Sequence, residues 1–288
     1  MSANEVTDVV PGALRKVERF GDAEGRRLFF LHGWAFSKES EIADFEPALR
    51  GRPGWRRIYT DLPGMGARND EGAGITNLNE LLDWVISFIN VEAPDQPFAI
   101  AGMSVGGQLA RGVVERMPER VLGLFLRVPR LIANRSERSV YDPAKPVPEG
   151  RNERDAFLDL DDLGAPMPPR FYAENDERHA RWVTARASAN LDALETIEAT
   201  YELDPLPVSV FDGPTLIVVG RQDSRVGFLE ALESGQEVRP GVGIALHEQY
   251  PRATIAALDR AGHALPVGSP ALFHALVREW LDRVEEVS

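Results

Sequence analysis

The sequence has no cysteine in its 288 residues. That absence excludes disulfides, thiol nucleophiles and thiolate metal sites, and it is compatible with a reducing cytoplasm. Apolar runs are short, and none approaches the ~20 residues that a membrane-spanning helix needs. The first residues, MSANEVTDVVPG, also lack the basic and apolar segments of a signal peptide. We therefore predict a soluble, cytoplasmic protein with no membrane partner.

Positive charge is scarce relative to negative charge. Lysine and arginine number 32 against 45 aspartates and glutamates, for a formal net charge of −13. Such a surface repels phosphate backbones, so nucleic acid is not an expected partner. The hydrophobic fraction of 43% and the charged fraction of 27% are ordinary for a folded globular chain. We therefore expect the protein to bind a small-molecule ligand or substrate.

Six short apolar runs are each followed by a turn residue and then by apolar residues at helical spacing. This alternation predicts a mostly parallel sheet flanked by helices, an α/β fold. The predicted strands are residues 27–31, 57–60, 98–101, 121–126, 215–219 and 254–258.

Two helices can be predicted in detail. Asn77 with Glu80 has the spacing of a capping box, and Ser269 with Pro270 is typical of a helix start. The predicted buried stripe of the first helix is Leu78, Leu81, Leu82, Val85 and Ile89. That of the second is Leu272, Phe273, Leu276, Trp280 and Leu281.

The segment between the fourth and fifth strands is too long for a loop. Its later half repeats apolar residues at Val183, Ala187, Leu191, Leu194 and Ile197, which predicts helices. We predict an inserted, mostly helical cap at residues 131–212, between core segments at residues 1–130 and 213–288.

The strongest local signal is Gly102-Met103-Ser104-Val105-Gly106, placed directly between a predicted strand and a helical pattern. A serine on a tight strand-to-helix turn projects its hydroxyl, and the helix N-terminus favours developing negative charge. Ser104 is therefore the predicted nucleophile.

A nucleophilic serine needs a histidine base and a carboxylate that orients it. Asp223 and His263 follow the fifth and sixth predicted strands, in the chain order Ser, Asp, His. A rival acid would be expected after the fourth strand, but the chain there reads Arg127-Val128-Pro129. Ser104, Asp223 and His263 are the predicted catalytic residues.

The remaining titratable candidates receive structural interpretations. His32 is predicted to be structural rather than a base, and Asp259 to be a surface acid. His179, His247 and His274 are predicted to be solvated.

A developing oxyanion needs two backbone donors. The Val105 N–H follows the nucleophile, and the Trp34 N–H lies in the His32-Gly33-Trp34 loop after the first predicted strand. We predict these two N–H groups as the oxyanion hole, and the Trp34 and Met103 side chains as substrate contacts.

The motifs HGW, DLPGMG at residues 61–66, GMSVGG, GRQD and AGH together resemble the α/β-hydrolase superfamily. The sequence is similar to small capped bacterial hydrolases, a branch with carboxylesterases, lactonases and carbon–carbon bond hydrolases. The resemblance implies an α/β-hydrolase fold with a catalytic triad, and hydrolysis of an ester, thioester or lactone through an acyl-serine. No cofactor or metal is required.

Three alternatives stay open. The first is carbon–carbon cleavage of a vinylogous diketone, which the residues after His263, Ala264-Leu265-Pro266, disfavour because that branch usually has a tryptophan there. The second is a non-hydrolytic lyase or rearrangement enzyme that uses the same Ser/His pair. The third is a catalytically silent binding protein.

Four arginines, Arg170, Arg178, Arg181 and Arg186, cluster in the predicted cap of an acidic protein. They either pair with the nearby acids of that segment as a solvated helix face, or place one guanidinium in the cleft to bind a substrate carboxylate. An insertion around residues 234–247 has no assigned role.

Overall fold

A computed structural model describes residues 15–129, 169–199, 210–220, 246–259, 261–263, 265 and 270–287. Seven strands form one sheet in the order β1-β3-β2-β4-β5-β6-β7. Strand β1 is antiparallel to β3, and every other neighbouring pair is parallel. The strands are β1 Val17–Gly21, β2 Arg26–Leu31, β3 Trp55–Thr60, β4 Phe98–Met103, β5 Val121–Arg127, β6 Thr215–Gly220 and β7 Ala253–Leu258.

The six strands predicted from apolar runs are all present, each one or two residues longer than predicted. Strands buried on both faces appear in a sequence as continuous apolar runs, and β4 and β6 are buried at every position. The prediction omitted β1, because this edge strand alternates half-buried and exposed residues in the sequence VERFG.

The described helices are α1 Lys38–Leu49, α2 Leu78–Glu92, α3 Val105–Arg116, α4 Pro169–Ser188, α5 Leu191–Ala199, the short α6 Leu246–Gln249 and α7 Pro270–Glu286. Asn77 caps α2 as predicted, accepting a hydrogen bond from the Glu80 N–H at 3.0 Å. The reciprocal half of the capping box differs, because the Glu80 carboxylate accepts from the Thr76 N–H at 2.7 Å. The predicted α2 stripe is fully buried.

Helices cover both faces of the sheet. Apolar residues of α2 and α3 pack with alternate residues of the central strands in one cluster. Residues of α1 and α7 pack with the intervening strand positions in a second cluster. This alternation follows from the two-residue period of a strand. Because the helices cover the two faces of the sheet, the ends of the strands remain available for a functional site.

One predicted stripe needs correction. In α7, Leu272 is 51% exposed, whereas Val277 and Val284 are buried. Between β5 and β6, the apolar repeat that predicted helices falls on α4 and α5, although Val183 and Leu191 are 43% and 48% exposed and the buried positions include Ala185. A single helical period fails there because the chain leaves the helix at Ala189 and Asn190 and restarts as α5.

The described helices α4 and α5 lie where the cap is predicted, and the cap's boundaries stay a prediction. No helix in the described ranges is long and apolar enough to cross a membrane.

Candidate active site

The carboxyl ends of the parallel strands meet along one edge of the sheet. Leu31 at the end of β2 pairs with Gly102 in β4, and Met103 pairs with Arg127 at the end of β5. In an open α/β sheet this edge is where ligands bind. The segments that begin there carry most of the residues singled out in the sequence.

Ser104 occupies a strained turn between β4 and α3. Its backbone has φ 52° and ψ −114°, a conformation that L-residues rarely adopt, and the residue is 5% exposed. The flanking glycines permit this turn. A Cβ at Gly102 would lie 2.2 Å from the Gly106 carbonyl oxygen, and a Cβ at Gly106 would lie 2.2 Å from the Leu31 oxygen. The glycines of the motif are therefore required by close backbone approach.

His263 is 7% exposed and lies in the loop that follows β7. This loop packs against the end of β6, since a Cβ at Gly220 would lie 2.1 Å from the Ala261 carbonyl oxygen. Asp223, three residues beyond Gly220 in the chain, lies outside the described residues.

The HGW loop lies directly against the serine turn. A Cβ at Gly33 would be 3.5 Å from the Ser104 Cβ and 3.4 Å from the Met103 sulfur. Trp34 is half-buried against the core, and Val105 opens helix α3. Ala35, with φ 56°, is a second non-glycine residue in the left-handed region at this edge. Such strain is found preferentially at functional sites.

His32 is a fully buried structural residue, as the sequence predicts. Its Nε2 accepts the Leu62 N–H at 2.9 Å, so Nδ1 carries the proton and donates to the Gly33 carbonyl oxygen at 2.8 Å. Burial lowers the pKa of the imidazole, which favours this neutral form. These two hydrogen bonds of His32 connect the HGW loop to the turn after β3.

Asp61 begins the DLPGMG turn and is fully buried. Its carboxylate accepts the Lys38 N–H at 2.8 Å, the Lys38 ammonium at 3.0 Å and the Ala67 N–H at 2.9 Å. This acid shapes the edge of the site by joining the turn to α1.

Sequence reasoning missed the role of Arg127. Its guanidinium is 1% exposed and pairs with Glu41, at 2.5 Å, and with Asp44, both on α1. It also donates to the Leu265 carbonyl oxygen at 3.1 Å. The Arg127 carbonyl oxygen accepts the Ser104 N–H at 3.0 Å. Arg127 therefore contacts both the serine turn and the loop that carries His263.

Helix α4 joins this ion-pair network through Arg178. Its guanidinium lies 2.5 Å from Asp44 and 3.4 Å from the Leu265 carbonyl oxygen. His274, predicted to be solvated, is instead half-buried and donates to the Asp44 carbonyl oxygen at 3.1 Å. The polar side of α7 faces this network, which explains the difference.

The other predicted surface residues have different outcomes. Asp259 is exposed as predicted. His179 is half-buried, with its ring centroid 5.8 Å from that of Trp182, which corrects its predicted solvation. The side chains of His247 and Arg170 lie outside the described residues, as does most of the 234–247 insertion.

A narrow cleft at the carboxyl ends of β4 and β5 has room for about one water molecule, with an accessible volume of about 10 Å³. Helices α1 and α4 both contribute to its wall. It is lined by Phe36, Ser40, Asp44, Met103, Arg127, Arg178, Arg181 and Leu265.

Replacing Arg127 with methionine is expected to lower the free energy of unfolding by about 3–5 kcal/mol, because it leaves the buried Glu41 without its arginine partner. Equilibrium urea unfolding measures the change. The matched control is Arg19→Met, which removes an exposed pair with Glu92 and should cost at most about 1 kcal/mol. Equal losses in both variants would contradict a stabilising role for the buried pair.

Replacing Glu41 with glutamine should change how stability depends on pH. Burial raises the pKa of Glu41 from 4.5 to about 7, against the opposing effect of Arg127. The folded state therefore holds this proton at pH values where the unfolded chain has released it. The stability of the native sequence should fall, relative to Glu41→Gln, as pH rises from about 4.5 to 7. If the free energies of unfolding of the native and Glu41→Gln proteins keep a constant difference across that pH window, the raised pKa of Glu41 is contradicted.

Comparison with known proteins agrees with this geometry. A model of the alpha/beta hydrolase family matches residues 28–276. Two pimeloyl-(acyl-carrier protein) methyl ester esterases are similar in sequence. That of Aeromonas salmonicida is 28% identical over 91% of this chain and 97% of the relative. That of Neisseria meningitidis serogroup A is 26% identical over 90% of this chain and 78% of the relative.

A solved alpha/beta superfamily hydrolase from Oenococcus oeni has the same fold. It superposes with a TM-score of 0.72 and 22% identity, covering 95% of this chain and 98% of the other. The predicted fold class is confirmed, and so is the predicted enzyme class. The chain belongs to the alpha/beta hydrolase family and is a hydrolase of the esterase type.

Proposed function

We propose that this chain hydrolyses a carboxylic ester of a small molecule through an acyl intermediate on Ser104. The observation that carries the proposal is the Ser104 backbone, with φ 52° and ψ −114°, at the junction of β4 and α3. Such a strained, nearly buried turn has no structural need for a serine, since the Ser104 side chain makes no capping hydrogen bond. It is the geometry that a nucleophile elbow requires.

In the proposed mechanism, neutral His263 accepts the Ser104 hydroxyl proton as the oxygen attacks the ester carbonyl. Asp223 accepts a hydrogen bond from the other ring nitrogen and orients the base. The proton passes to the leaving alcohol, and water activated by His263 then hydrolyses the acyl-serine. The packing of Gly220 against Ala261 supports this assignment, because it brings the segment that leads to Asp223 beside the His263 loop.

The proposed oxyanion hole consists of the Val105 and Trp34 N–H groups. Its support is the position of Val105 at the first turn of α3 and the proximity of Gly33, where an added Cβ would lie 3.5 Å from the Ser104 Cβ. Trp34 and Met103 are the proposed substrate contacts at the same turn. No step requires a metal or cofactor.

Ester cleavage is favoured over the alternatives because the matched relatives are methyl ester esterases. Their substrate suggests that a small alkyl ester of a longer acyl chain is a suitable class for this protein as well. Thioesters and lactones would use the same acyl chemistry. A cytoplasmic location belongs to the same proposal.

A fluorophosphonate probe tests the proposal directly. Labelling should be stoichiometric, and peptide mapping should locate the label on Ser104, because the probe reacts with activated serines. A short-chain nitrophenyl ester should be turned over, and labelled protein should lose that activity. Labelling elsewhere, or full activity after labelling of Ser104, would overturn the assignment.

A further inference from the structure

Gln108 is a fully buried polar residue in the first turn of α3. Neither its amide oxygen nor its amide nitrogen has a hydrogen-bond partner in the described part of the chain. Nearly all buried polar side-chain atoms in proteins are hydrogen-bonded, because an unmet buried group costs free energy. A methionine would fill a similar space without that cost. The amide of Gln108 therefore has a role other than packing.

The Gln108 side chain lies on the side of α3 that faces away from the sheet. Successive helical residues are about 100° apart, so Gln108 lies nearly opposite both Gly106 and Ala110. These two face the sheet: a Cβ on Gly106 would lie 2.2 Å from the Leu31 carbonyl oxygen, and Ala110 packs in the apolar cluster that includes the central strands. Glu115, two turns further along the Gln108 stripe, is exposed. The buried end of this stripe is thus the end at which the nucleophile lies.

The same side chain leans toward Ser104. The Gln108 N–H donates to the Ser104 carbonyl oxygen at 3.1 Å, so the two residues are neighbours across the first turn of α3. Helical side chains lean toward the helix N-terminus, over the residue four positions earlier. For Gln108 that residue is the nucleophile. The neighbouring Arg111 is directed elsewhere, since its guanidinium donates to Tyr250 at 3.0 Å and to Gln249 at 3.1 Å.

We propose that Gln108 is a specificity-determining residue whose amide binds a carboxamide group in the acyl part of the substrate. The inference rests on the proposed ester hydrolysis and narrows its substrate class. A glutamine side chain offers an acceptor oxygen and two N–H donors. A carboxamide satisfies both kinds of group, whereas a carboxylate satisfies the donors alone and an alkyl group satisfies neither.

The position of Gln108 also sets the length of this substrate. Residues four apart on a helix have Cβ atoms about 5–6 Å apart. A group bound by Gln108 would therefore lie about three bonds from the ester carbonyl that Ser104 attacks. An ester with two methylene groups between its two carbonyl carbons has this spacing.

The test compares three methyl esters of matched shape. Methyl succinamate ends in a carboxamide, methyl levulinate has a methyl group in place of the nitrogen, and methyl isocaproate has methyl groups in place of both the nitrogen and the oxygen. The native protein should prefer them in this order in kcat/KM, because each replacement removes a hydrogen bond to Gln108. Gln108→Met should lower the kcat/KM ratio of methyl succinamate to methyl isocaproate by about tenfold to hundredfold.

The matched control is Glu115→Met, which places the same side chain on the same stripe, two turns further from the nucleophile. It should keep the native ratio of the three esters. Urea unfolding tests the alternative that the Gln108 amide serves the fold. Because Gln108→Met removes an unmet buried group, its unfolding midpoint should stay at or above the native value. A lower midpoint together with the native ester ratio would overturn the proposal, since the amide would then be a structural group.

The same esters separate this inference from the proposed function. Turnover of methyl isocaproate tests ester hydrolysis alone, since this ester has no hydrogen-bonding group for Gln108. If the ratio of the three esters is the same in the native, Gln108→Met and Glu115→Met proteins, the carboxamide role is overturned and the esterase function stands. If Ser104 is neither labelled by fluorophosphonate nor needed for turnover, the proposed function fails.

Discussion

Replacing Ser104 with alanine is expected to reduce ester turnover by about 10⁵-fold or more while leaving the fold intact. The large loss follows because the covalent route disappears with the nucleophile, and His263 and the oxyanion donors cannot replace it. Stability should change by less than about 1 kcal/mol. The hydroxyl makes no capping hydrogen bond, and the packing around the turn comes from its backbone. Steady-state kinetics and urea unfolding of the same preparation measure both quantities.

The matched control for this prediction is Ser87→Ala. Ser87 lies in α2 and donates to the Asp83 carbonyl oxygen, so its loss removes a hydroxyl remote from the site. The Ser87→Ala protein should retain native turnover. A Ser104→Ala protein with more than a small fraction of native activity would show that another group attacks the ester, and the proposed mechanism would be wrong.

The central parallel strands could be predicted because burial on both faces produces a continuous apolar run in the sequence. The Ser104 turn was equally accessible, because five consecutive residues and the strand before them predict it. The role of His263 stays a prediction from its position after the last strand. Each of these features depends on neighbours in the chain.

Helix α1 and its ion pairs could not be predicted in the same way. The buried side of α1 includes Lys38, Glu41 and Asp44, so the helix has no apolar stripe to detect. Its charges are buried because Arg127 comes from β5 and Arg178 from α4, which the fold brings together from distant parts of the chain. The absence of an acid after β5 was visible in the sequence, but the role of the arginine there was not.

Replacing Asp223 with asparagine is expected to lower turnover by about 10³-fold to 10⁴-fold, less than the loss of Ser104. An asparagine amide can hold His263 in the tautomer that presents a proton, rather than a lone pair, to the serine hydroxyl. It also cannot stabilise the imidazolium that forms as the proton is transferred. Fluorophosphonate labelling should slow in parallel with turnover, whereas a non-covalent competitive inhibitor should bind with nearly native affinity, because the shape of the pocket is unchanged.

The control that makes this result specific is Asp259→Asn. Asp259 is an exposed acid four residues before His263, so it is the rival carboxylate nearest the base in the sequence. If Asp223 orients His263, Asp259→Asn should keep turnover within about threefold of native, since exposed charges contribute little to a buried hydrogen bond. The opposite pattern, a nearly active Asp223→Asn protein beside an impaired Asp259→Asn protein, would transfer the orienting role to Asp259. A double variant that loses no more than the Asp223→Asn protein would establish that a single carboxylate serves the base.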